Sequence, residues 1–102
     1  MTTPTLRNYI GGAYQASTAS ETLENLNPAT GQVLCRVELA LAPELERAIE
    51  AAQAGLATWS AMTGAERGRI LYRAAQLLRA RNRELAELEV AGNRRSIVRC
   101  VT

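Results

Sequence analysis

The run Asn27-Pro28-Ala29-Thr30-Gly31 constrains this chain most, because it reverses direction between two stretches of alternating polarity. Pro28 holds Asn27 in an extended or turn conformation, and Gly31 suits the close of a type I turn. Before the turn, residues 22–26 alternate, with Leu23 and Asn25 on one face and their neighbours opposite. After it, Val33, Cys35 and Val37 alternate with Leu34, Arg36 and Glu38, the pattern of a half-buried strand. Antiparallel pairing of 22–26 with 32–38 is the economical solution. Further upstream, Gly11-Gly12 supplies the backbone freedom of a second tight hairpin flanked by Tyr9 and Tyr14. The small polar residues 16–20 read as a loop.

The hydrophobic period changes at Pro43, which suits an early helical position because it has no amide hydrogen to leave unpaired. Glu44 and Glu46 favour the positive end of that helix. Leu45, Ala48, Ile49, Ala52, Leu56 and Trp59 recur at three- and four-residue intervals and predict one apolar stripe, with Trp59 as its core anchor. Thr63-Gly64-Ala65-Glu66 has the spacing of a capping box. It opens a longer helix with Ile70, Leu71, Ala74, Leu77, Leu78, Leu85 and Leu88 inward, running to Glu89 with a bend near Asn82. The fold expected is therefore α/β: short antiparallel β-strands followed by two amphipathic α-helices.

Absent residue types narrow the chemistry. The 102 residues include no His, no Lys and no Asp, so no Ser or Cys nucleophile has a histidine or lysine base. Cys35 and Cys100 form neither a paired ligand motif nor a disulfide framework, and Cys35 reads as a small apolar strand residue. Gly11-Gly12 and Gly64-x-x-x-Gly68 lack the spacing of a dinucleotide fingerprint. No catalytic and no cofactor-binding residue is assigned. Residues 1–90 carry nine Arg against ten Glu, and the last twelve residues add Arg94, Arg95 and Arg99. Three arginines on a short tail make a poor nucleic-acid patch. The start lacks a signal-peptide pattern, and no stretch has membrane-spanning length. A cytoplasmic chain bound to neither nucleic acid nor membrane is expected, with self-association through exposed apolar helix faces. With no Phe and one Trp, its apolar content is mostly Ala and Leu, so it is expected to need a larger protein to cover it.

Three stretches, Tyr9-Ile10-Gly11-Gly12-Ala13-Tyr14, the Asn27–Gly31 turn and Glu66-Arg67-Gly68-Arg69-Ile70-Leu71, give the chain a family likeness. It resembles the opening of an NAD(P)-dependent aldehyde dehydrogenase, closest to the betaine aldehyde dehydrogenase branch, over about residues 6–89. The resemblance implies that 1–89 is the N-terminal part of a cofactor-binding domain. The parent reaction would be NAD(P)-dependent oxidation of an aldehyde to a carboxylic acid, with the catalytic Cys and Glu supplied by later sequence. On this reading the fragment is inactive and binds neither NAD nor NADP alone; a small helical interaction or dimerisation module is the alternative. Betaine-aldehyde-like members hold a structural potassium ion through two residues before the Asn-Pro turn and an Asp in a Leu-Asp-Thr-Gly-Lys-Pro motif. These positions fall on Asn25, Leu26 and Gly92, so the resemblance implies at most a remnant potassium site at Asn25 and Leu26.

Residues 90–102 depart from the family pattern as a divergent basic tail. A reading-frame change just after Glu89 accounts for an abrupt end to the likeness. The nucleotide sequence around codons 88–95 should then encode the missing motif in another frame, and its absence from every frame would refute the idea.

Overall fold

The computed structural model describes residues 3–93. Five strands come first: β1 (Thr5–Leu6), β2 (Asn8–Ile10), β3 (Ala13–Gln15), β4 (Thr22–Leu26) and β5 (Val33–Glu38). Three helices follow: α1 (Ala42–Ala61), α2 (Gly64–Ala80) and α3 (Asn82–Asn93).

Both hairpins form where the turn chemistry places them. Gly11 and Gly12 sit at φ 62° and 85°, the left-handed pair a type I′ turn requires. Across it Tyr9 pairs with Tyr14, and their rings meet edge to face with centroids 4.9 Å apart. In the second turn, Asn27 O accepts from Thr30 N (3.3 Å) and Gly31 N (2.7 Å), while its side-chain oxygen accepts from Ala29 N (2.9 Å). Gly31 at φ 73° then returns the chain to β5, and β4 and β5 pair antiparallel with an irregularity between Asn25 and Leu26.

Two expectations about the fold fail. The three-stranded sheet is mixed rather than purely antiparallel, because β1 pairs parallel with the free edge of β5, Thr5 opposite Arg36 and Leu6 opposite Val37. The edge left open by β4 carries backbone groups that need partners, and Pro4 O accepts from Arg36 N at 2.9 Å. The helices number three, not two, among the described residues. At Arg81 the backbone leaves helical geometry (φ −107°, ψ 15°), so the expected bend near Asn82 is a break between α2 and α3.

Burial is sparse and partly misplaced relative to the predicted stripes. Among described residues the buried apolar side chains are Ile10, Cys35 and Ala86. On α1 the covered line is Glu44, Ala48 and Ala51, not Leu45, Ile49 and Leu56, which are exposed. Ala51 faces the β2–β3 turn, where a Cβ built on Gly11 would lie 3.9 Å from that of Ala51. Small residues let the hairpin approach, and the bulky ones point away from it. On α2 no residue is buried, so its leucines, expected inward, face outward.

The capping box at Thr63 forms in both directions: Glu66 N donates to Thr63 Oγ1 (3.3 Å) and Thr63 N donates to the Glu66 carboxylate (2.7 Å). Thr63→Ala is expected to cost about 1 kcal/mol of helix stability, read as lost ellipticity at 222 nm in a urea titration. An unchanged midpoint would show that the box contributes nothing.

Candidate functional site

The most elaborate polar cluster is centred on Glu44, which is 1% exposed. Its position three residues after Leu41 lets the carboxylate reach back to Leu41 N at 2.8 Å, forming half a capping box with no side-chain acceptor in return. The same carboxylate accepts from Thr18 N (2.9 Å) and Thr18 Oγ1 (3.1 Å), and Arg47 donates to it at 3.1 Å. Beside it, Glu38 accepts from Ser17 N at 2.9 Å, and Ser17 Oγ donates to Leu39 O. The loop at 16–20 is thus held between the end of β5 and the start of α1. The amides of Leu41 and Thr18 lower the Glu44 pKa from 4.5 to about 2, against the opposing effect of burial. Thr63 lowers that of Glu66 in the same way. Sequence reasoning assigned Glu44 only a helix-end role; its spacing from Leu41 was the available signal, whereas Thr18 is brought in by folding alone.

The predicted cation positions meet in a different place. Asn25 on β4 and Gly92 on α3 line one cavity of about 350 Å³ together with Pro4, Leu6, Leu34, Cys35, Leu88 and Ala91. Leu26, the other predicted ligand, is not among the residues lining it. The Asn25 amide lies 3.8 Å from Cys35 Sγ. Fold topology therefore brings together Asn25 and Gly92, distant in sequence, but the wall is mostly apolar and contributes no carboxylate. A monovalent cation asks for hard oxygen donors, and among described residues no three His, Cys, Asp or Glu side chains lie together. The lining does not fit potassium.

Cys35 is a buried thiol with no histidine or lysine anywhere in the chain to activate it. Glu44 and Glu66, both held ionised by amide donors, serve structure and are poor proton acceptors at neutral pH. No described helix is long and apolar enough to cross a membrane. The arrangement organises backbone and offers apolar surface; it does not assemble a reacting centre.

A sequence model described as the aldehyde dehydrogenase family matches residues 14–100. Among solved structures, one assigned as a methylmalonate-semialdehyde dehydrogenase of Sinorhizobium meliloti, complexed with NAD, superposes at a TM-score of 0.91 with 31% identity. That match covers 98% of this chain and 20% of the other. A variant aldehyde dehydrogenase of Bacillus cereus matches at 0.86 and 31% identity over 94% of this chain and 20% of its own. An NAD-dependent benzaldehyde dehydrogenase of Corynebacterium glutamicum matches at 0.86 and 28% identity, over 93% and 21%. The chain spans about a fifth of the length of the structures it matches.

The Glu44 cluster predicts a specific acid sensitivity. Above pH 4.5 the carboxylate is ionised in both folded and unfolded chains, and its contribution to stability is fully present. As pH falls below 4.5 the unfolded chain takes up the proton first, so stability is lost progressively until the folded carboxylate protonates near 2. Melting temperatures across this window should fall less steeply for Glu44→Gln than for the unsubstituted chain. Parallel profiles would place the sensitivity elsewhere.

Proposed function

The chain belongs to the aldehyde dehydrogenase family, and from that premise we propose that it braces the cofactor-binding region of such an enzyme and does not itself act on substrate. The observation that carries this reading is the contrast between a fold held at a TM-score of 0.91 and a buried apolar set of Ile10, Cys35 and Ala86. A conformation shared so closely with complete enzymes, yet exposing Leu45, Ile49, Leu56, Leu77 and Leu78, suits a segment whose apolar faces belong against more protein. The parent activity in this proposal is NAD(P)-dependent oxidation of an aldehyde to a carboxylic acid. The dinucleotide, when bound in the whole enzyme, accepts the hydride, and none of residues 3–93 is assigned to touch it.

The finer placement, in the betaine-aldehyde branch, is supported by the motifs around Tyr9, Asn27 and Glu66. The shared cavity of Asn25 and Gly92 gives that placement a location. Because its wall lacks a carboxylate, a potassium role for Asn25 and Leu26 forms no part of the proposed function. A cytoplasmic setting accords with the absence of a signal-peptide pattern at the start of the sequence.

A second reading, a helical module that dimerises, draws on the same exposed leucines. Light scattering combined with thermal melting separates the two, since a discrete dimer with a cooperative transition would favour the module. For the leading reading the test is an NAD(P) reduction assay with several aldehydes. Purified 102-residue protein is expected to show no turnover, and measurable turnover would overturn it.

A further inference from the structure

The break at Arg81 leaves α2 and α3 diverging, and between them opens a groove of about 420 Å³ lined by Ala74, Leu77, Leu78, Arg81 and Leu85. Leu77 and Leu78 are 58% and 59% exposed, so the groove presents apolar side chains to solvent. Its surroundings are strongly basic. Arg67, Arg69, Arg73 and Arg79 share α2 with a single acid, Glu66, whose carboxylate is held by Thr63. The ion pairs among described residues use Arg7, Arg36, Arg47 and Arg83. The four α2 arginines and Arg81 therefore have no carboxylate partner within residues 3–93.

We propose that this groove receives an apolar segment flanked by carboxylates from the remaining four-fifths of an aldehyde dehydrogenase chain. The proposal rests on the bracing function above and goes beyond it by naming the face and the chemistry of its occupant. Length supports it: the matched structures are about five times as long, and the chain keeps their fold while its leucine groove stands uncovered. Charge supports it as well. A second copy docked through the same face in two-fold symmetry would set arginines against arginines, whereas acidic flanks would neutralise them.

The test is a chimera in which this chain replaces the corresponding fifth of the Bacillus cereus aldehyde dehydrogenase, compared with the 102-residue protein alone. Backbone amides of residues 74–85 are expected to exchange about tenfold or more slowly in the chimera than in the isolated chain. Leu78→Glu should lower the chimera's melting temperature by several degrees and reduce its recovered activity, while Leu78→Met retains both. In the isolated chain Leu78→Glu should leave the helical signal unchanged. An active chimera indifferent to Leu78→Glu, with unaltered amide exchange, overturns the groove assignment alone. A chimera that fails to fold without any substitution refutes the bracing function itself. A discrete dimer of the isolated chain, abolished by Leu78→Glu, also overturns the assignment, because it gives the groove to a second copy.

Discussion

The described fold depends on one buried carboxylate. Apolar burial is limited to three side chains, so little hydrophobic adhesion holds α1 to the strands. Glu44 supplies a directional substitute. It accepts from the start of its own helix at Leu41 and from Thr18 on the loop after the first hairpin. Removing an acceptor from such a site leaves buried amides without a partner, a larger penalty than the net gain of making the bonds. Around this anchor the small side chains Ala48 and Ala51 let the helix lie close to the hairpin.

Local features were legible in the sequence because their causes are local. Gly11-Gly12 and Asn27–Gly31 specify turns through the backbone angles they permit, and both occur. Thr63 and Glu66 specify a helix start through a three-residue reach, and it too occurs. The misses share a physical origin in distant partners. Thr5–Leu6 is too short to show alternation, and its parallel pairing is directed by the open edge of β5. The α1 stripe was assigned by hydrophobicity, but its inner face is set by how closely a hairpin can approach. Glu44 was misread for the same reason, since a charged residue becomes a core residue only when the fold delivers its donors.

The candidate site shows the same division. Chain chemistry alone excluded a base-activated nucleophile, and the structure adds no assembled reacting centre among the described residues. Asn25 and Gly92 were singled out by family likeness rather than by any pattern in the residues. Their meeting in one cavity with Cys35 arises from packing between the sheet and α3. The apolar character of that wall was not readable from Asn25 and Leu26 themselves, because Pro4, Leu6 and Leu88 come from distant elements.

The parallel strand β1 also sets an order for assembly. Thr5 and Leu6 leave the ribosome long before Arg36 and Val37, their only ladder partners among the described strands. Until β5 has emerged and turned back on β4, these first residues have no template, and the intervening chain must close as a loop before they dock. The central strand of the three-stranded sheet is thus the last of the five to be synthesised. Folding of this sheet waits on its middle, so a pause in translation ahead of β5 would leave every earlier strand except the glycine hairpin without a mate.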